Sequence, residues 1–201
     1  MASGQDLVKI AQAESGTKES GTNNVKYNTW FYGHEVDGSN YPWCAVFVSW
    51  CADKAGITTD IMPKTASAGY FAHYANQGHG EVFTNKNPEA GDLFLINYNG
   101  SDWANHVGIV ASCDGSNITT IEGNSSDMVR SRTLSMSGLT FVHFNLDSSS
   151  GMTAAWTARE VPNIGRDLAT KAYMAYQLYT DKSSGGYSYL WGSNSTTANG
   201  G

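Results

Sequence analysis

The sequence predicts an α+β fold, with helices first and an antiparallel sheet after. Three observations carry this. Helical spacing and helix-ending residues dominate up to residue 77. Five β-rich runs separated by Gly, Asp, Asn and Ser occupy 92–146. From Trp43 to Asp53 nearly every residue is apolar or small, as in a helix central to its domain.

The elements follow in order. In GQDLVKIAQAE, residues 4–14, Leu7, Ile10 and Ala11 recur at helical spacing with Val8 beside them. That is a short amphipathic helix. SGTKESGTNN continues as a polar loop, KYNTWFYG is an aromatic segment packed against the domain, and HEVDGSN is a turn or loop. The apolar helix from Trp43 ends at Lys54, Ala55 and Gly56, a common helix stop. IMPKTASAGYFAHYANQG reads as a turn and then a short helix near 66–77. PEAGDLFLINY turns into a strand at about 92–98. HVGIVAS, NITTIEG, VRSRTLS and TFVHFNL complete what reads as an antiparallel meander.

DSSSG, at 147–151, marks a boundary. Residues 1–146 are expected to be the main domain, and 147–201 a linker-like extension. Leu168, Ala172, Ala175 and Tyr179 place a helix near 164–180 in that extension.

Bulk properties exclude several classes. The chain has 201 residues, 40% hydrophobic and only 15% charged, with 22 glycines. That composition suits a turn-rich globular domain, not a coiled coil or a disordered tail. A formal net charge of −6 argues against a nucleic-acid partner and against electrostatic attraction to an anionic surface. No run reaches the ~18 apolar residues of a membrane span. MASGQDLVKI lacks the basic-then-apolar order of a signal peptide. Three cysteines leave at least one unpaired within the chain, and without a CxxC pair a zinc ribbon is not expected.

Cys44 opens the apolar helix, after Pro42 and Trp43. A nucleophilic cysteine reacts as thiolate, which the positive end of a helix and a nearby imidazolium both favour. A buried structural thiol fits the same stretch, and the stretch alone leaves both readings open. Cys51 lies two turns deeper and reads as a core thiol. Cys113 reads as a bystander at a strand end.

A thiol nucleophile needs a base, held in turn by a third group. Of five histidines, His106 starts a strand straight after the turn SDWAN, on a rigid sheet rim. His34, His73, His79 and His143 read as surface or packing residues. The next strand ends ITTIEGN, so Glu122 and Asn124 share a face if the chain is still extended there. Taken alone, EGN is an ordinary turn.

The combination is more specific. PWCAVFVSWC, NHVGIV and IEGN occur in the order Cys, His, Glu, Asn, with PEAGDLFLI before and SSDMVRSRT after. Over residues 4–146 these blocks resemble the CHAP family, the cysteine- and histidine-dependent amidohydrolases and peptidases of phage lysins and bacterial wall hydrolases. The resemblance implies a papain-like fold. It also implies Cys44 as nucleophile, His106 as base, Glu122 as third residue and Asn124 as a supporting fourth. The implied substrate is bacterial peptidoglycan, cut at the N-acetylmuramoyl–L-alanine amide or at a peptide bond of the stem or cross-bridge. Trp43, Trp103 and Asn105 flank the motifs and are candidate cleft residues, with core packing an equal reading for Trp43.

Some phage members bind calcium before the cysteine. Here Glu35 and Asp37 are thin supply for a cation wanting six to eight oxygens, and Val46 stands where an acidic residue follows the cysteine. No metal and no cofactor are therefore expected. The rival reading is a non-catalytic module that binds cell wall or builds a phage tail. A metal hydrolase is disfavoured by the lack of HExxH or clustered ligands. The expected place of action is the cell wall, for a monomer or a part of a larger lysin or phage particle.

Overall fold

The structure, a computed structural model, describes residues 2–100 and 103–146. The expected boundary at 147 and helix near 164–180 lie outside the described residues. Four α-helices lead into a six-stranded antiparallel sheet, the α+β class expected. No helix among the described residues is long and apolar enough to cross a membrane.

Helix α1, Gly4–Ala13, begins at a capping box. Ser3 Oγ accepts from the Asp6 N–H, and the Asp6 carboxylate accepts from the Ser3 N–H. Its buried face is Leu7, Val8 and Ala11. Helix α2, Lys26–Tyr32, forms in the aromatic segment and buries Tyr27 and Asn28. Helix α3, Cys44–Lys54, buries residues on every side, and Gly56 ends it at φ 76°. Helix α4, Ala68–Tyr74, runs into a π-helical turn, Ala75–His79.

The strands are β1 Gly80–Phe83, β2 Leu93–Ile96, β3 His106–Cys113, β4 Asn117–Glu122, β5 Arg130–Ser135 and β6 Thr140–Phe144. Their order is β1-β6-β2-β3-β4-β5. Strands β2 to β5 form the expected meander. Strand β6 departs from it, returning past the sheet to pair with β2 and with the edge strand β1.

Side chains alternate across the sheet. Val107, Ile109, Ile121, Leu93 and Val142 join the main core with α1 and α3. Phe94, Val110, Ile118 and Phe141 form a smaller core on the opposite face. This alternation puts His106 and Glu122 on the second face, at the rim beside the N-terminus of α3. Gly123 lets that end of β4 approach α3, since a Cβ there would lie 2.4 Å from Phe47 Cβ.

Candidate active site

Strand register brings the polar residues together. Ile109 pairs with Ile121, so the register continues to Gly108 opposite Glu122. His106 and Gly108 are two apart on β3 and share a face. Glu122 therefore crosses the bare Gly108 backbone to reach the ring. His106 Nε2 lies 2.8 Å from Glu122 Oε2. A carboxylate only accepts, so Nε2 carries the proton and Nδ1 is left to face the sulfur. Cys44 lies close enough to the ring for its thiol to be one of the groups that raise the His106 pKa. Cys44 is 6% exposed and His106 8%, so both are nearly covered while keeping some contact with solvent.

Glu122 is 0% exposed, and its charge is heavily met. Arg132 grips it from β5 with two bonds, Nε to Oε1 at 2.8 Å and Nη2 to Oε2 at 2.7 Å. The Thr120 hydroxyl donates to Oε1 at 2.5 Å. Burial would raise the carboxyl pKa, but the bonds from His106, Arg132 and Thr120 outweigh it and hold it at about 2. Burial would likewise lower the His106 pKa. Hydrogen bonds to Cys44 and Glu122, with their charges, lift it instead to about 9. A thiol, an imidazole and an anchored carboxylate in series form a proton relay beside a nucleophile.

The structure brings Cys44, His106 and Glu122 together. Asn124 lies beyond the end of β4. Strand β4 ends at Glu122, and Asn124 is left-handed at φ 55°, so the extended-chain argument for a shared face fails. Its amide donates to Asn23 Oδ1 at 3.4 Å instead, tying the turn to the N-terminal loop. Trp43 does not line a cleft. It is 0% exposed, stacked on Tyr27 with centroids 5.5 Å apart, and its indole N–H donates to Glu19 at 2.6 Å. Trp103 is exposed and donates to Ser67 Oγ at 2.9 Å. Asn105 closes the β2–β3 loop: its Oδ1 accepts from the Tyr98 N–H and its own N–H donates to Ile96 O. Glu35 and Asp37 are exposed, with Asp37 accepting from the Thr22 N–H, and no cluster of three acidic, His or Cys side chains occurs among the described residues.

Sequence reasoning missed Arg132, Thr120, Gly108 and Tyr98. The signal for the first two was alternation: Thr120 lies two before Glu122, and Thr120 pairs with Arg132 across β4 and β5. Tyr98 sits beside the relay with its ring 6.1 Å from that of His106, close enough to Arg132 to help raise the guanidinium pKa. A second histidine–carboxylate pair, His143 with Asp92 at 2.7 Å, lies in a pocket lined by Ser3, Glu89 and Asn145, with no cysteine in its lining.

Gly108 gives a direct test of this geometry. A Cβ there would lie 2.7 Å from Glu122 Cγ and 2.6 Å from the Phe94 ring. Gly108→Ala is expected to push Glu122 off the imidazole, lowering kcat/KM about 100-fold and stability by about 1–3 kcal/mol. Steady-state kinetics with thermal unfolding checks both, and unchanged kinetics would contradict the lane assigned to Glu122.

Residues 36–124 match the family model described as "CHAP domain". No curated protein gives a match. Two solved structures are similar. One is the crystal structure of Ly7917, at 16% identity, covering 71% of this chain and 62% of that one, with a TM-score of 0.45. The other is Ly7917 with the hydrolyzing product of MDP, at 15% identity, 71% and 63% coverage, and a TM-score of 0.46. The chain thus spans less than two thirds of the length of those structures.

Proposed function

Residues 36–124 of the chain are a CHAP domain, and from that premise we propose a peptidoglycan hydrolase that cuts an amide bond of the bacterial wall through Cys44. The observation that carries this reading is an imidazole held at Nε2 by a buried, anchored carboxylate, beside a thiol at the start of α3 that helps raise its pKa.

The Cys44 thiolate attacks the amide carbon. Charge develops on the carbonyl oxygen as a tetrahedral intermediate forms, and the Cys44 backbone N–H at the start of α3 is a donor for it. Trp43, the N-cap, makes no side-chain cap bond, which leaves that end of the helix to other acceptors. His106 protonates the leaving amine as the C–N bond breaks, leaving a thioester. The neutral imidazole then takes a proton from water, which attacks the thioester and frees the carboxylate and the thiol. Glu122 stays ionised throughout, stabilising the imidazolium and fixing its tautomer. No step needs a metal.

The pH dependence follows. Leaving-group protonation needs the imidazolium, which His106 retains up to about 9. Activity is expected to fall as pH rises through about 9, with an apparent pKa that belongs to the Cys44–His106 pair. Stability has the same sign. The folded pKa lies above the unfolded 6.5, so the contribution of His106 is complete below 6.5 and lost as pH climbs through about 9. In Glu122→Gln the alkaline limb moves to lower pH, because one group that raises His106 is neutralised. A rate profile measured from pH 5 to 10.5 checks this, and a flat wild-type profile beyond pH 10 would contradict it.

With a net charge of −6 the chain is not drawn electrostatically to an anionic wall. Delivery by a wall-binding region, or as part of a larger lysin or phage particle, would supply the local concentration. EDTA should leave hydrolysis unaffected.

A further inference from the structure

Among the described residues, three large apolar side chains stand exposed: Tyr70, Tyr98 and Trp103. Tyr98 lies beside the relay, and Trp103 is three residues before His106 in sequence. Tyr98 and Trp103 ride the β2–β3 loop that leads into His106, and Tyr70 is on α4. His73 joins the row, with its ring 5.6 Å from Tyr70 and 5.9 Å from Trp103. At the other end Tyr98 sits 6.1 Å from the His106 ring.

The row is built rather than incidental. Trp103 is oriented by its bond to Ser67 and lies on α4 where Gly69 has no side chain. A Cβ on Gly69 would come within 2.6 Å of three indole atoms. Ser67 and Thr65 are in turn tied to α3, since Ser67 N–H donates to Thr65 Oγ1 and Ser49 Oγ donates to Thr65 O. An oriented aromatic face loses little entropy on binding. Large apolar side chains left exposed, when the other large ones among the described residues are covered, mark a ligand surface.

We propose that Tyr70, Tyr98 and Trp103 form a ledge that seats sugar rings of the glycan strand and so directs Cys44 to the amide joining sugar to peptide. The inference rests on the hydrolase reading above. Sugar C–H faces carry slight positive charge and stack on the negative face of an aromatic ring. Such contacts need no net charge, which suits an acidic protein on an anionic polymer. Tyr70, Tyr98 and Trp103 bring no charge to recognise the ionic groups of a stem peptide. Position then fixes the bond. Tyr98 lies 6.1 Å from the His106 ring, so a sugar seated there leaves the muramoyl–L-alanine amide nearest the sulfur. Each residue further along the stem moves the scissile bond about 3.5 Å away, and a cross-bridge bond lies at least ~10 Å off.

The test separates the ledge from the hydrolase. A disaccharide carrying a stem peptide, and the same peptide without sugar, are titrated into Cys44→Ser protein and into Cys44→Ser combined with Trp103→Ala, Tyr70→Ala or Gly69→Ala. Each added change is expected to weaken binding of the disaccharide about five- to tenfold and to leave the sugar-free peptide unaffected. Gly69→Ala removes no aromatic group and raises helix propensity, so a loss there reports the displaced indole. Equal binding by all the proteins, equal affinity for both ligands, or a change in sedimentation instead of affinity would overturn the ledge. In the wild type, mass spectrometry of released fragments is expected to find new N-terminal L-alanine, and termini within the stem or bridge would overturn it too. A wild type no more hydrolytic than Cys44→Ser would sink the parent reading alone, since ligand binding still reports the ledge.

Discussion

Cys44→Ser and Cys44→Ala are expected to reduce release of wall fragments by 10³-fold or more, on the order of losing the nucleophile of any triad enzyme. Neither change is expected to unfold the protein. The side chain is small and sits at the first position of α3, where later residues, Phe47 and Val48 among them, supply the packing. The residual rate should match that of the protein with His106→Ala, because relay members act as a unit and their losses do not add. Turbidity of purified walls, with unfolding followed by circular dichroism, measures both effects. Full activity in Cys44→Ala would end the thiol account.

The second large effect belongs to Arg132, which no motif singled out. Glu122 is fully buried, and removing a partner from a buried ion pair leaves an uncompensated charge. Arg132→Met is expected to lower stability by about 3–5 kcal/mol and kcat about 10- to 100-fold, with a smaller change in KM. Acid sensitivity gives it a signature that loss of packing does not. The folded pKa of Glu122, about 2, lies below the unfolded 4.5. Its stabilising contribution is therefore present above 4.5 and lost as pH falls towards 2. Without the guanidinium the folded value rises, and that contribution shrinks at neutral pH. Arg132→Lys keeps a charge without the two-pronged grip and should recover stability more than turnover. A neutral-pH stability equal to wild type in Arg132→Met would contradict the clamp.

Much of this was legible because local pattern and global fold agree. Helix α3 announced itself as apolar on every side, and it is the helix that the sheet packs around. His106 was placed at the start of a strand, and that strand formed as His106–Cys113. Glu122 was reached from the end of the next strand and the family resemblance, and the alternation that joined Asn124 to it holds only as far as Glu122. It stopped there because the next two residues leave extended geometry, so the face assigned to Asn124 was a face of a strand already ended. Helix α2 was hidden for a different reason. KYNTWFY has poor helix formers and a valine at the cap, and burial of Tyr27 and Asn28 supplies what propensity does not. Strand β1 is four residues at a sheet edge with one buried side chain, too short to show a period. The return of β6 to β2 is a long-range choice that no local run encodes.

Arg132 and Gly108 were invisible for a related reason. Their importance exists only across strands, in register. An arginine in VRSRTLS reads as a solvated charge until β5 is laid beside β4. A glycine in HVGIV reads as a weak point in a strand until Glu122 is seen crossing it. For Trp43 the sequence left cleft and core equally open, because adjacency to a nucleophile in sequence says nothing about which way an indole points; the structure buries it.

Alkylation by iodoacetamide puts the central claim to its most direct test. Cys113 is the more exposed thiol, Cys44 is nearly covered and Cys51 is fully buried, with its pKa pushed up by that burial. If access alone governed reaction, Cys113 would be modified first. The relay predicts the reverse: at neutral pH and limiting reagent, peptide mapping should find the label on Cys44 ahead of Cys113, with wall hydrolysis lost in step with it. Label confined to Cys113, or hydrolysis persisting once Cys44 is alkylated, would contradict the account.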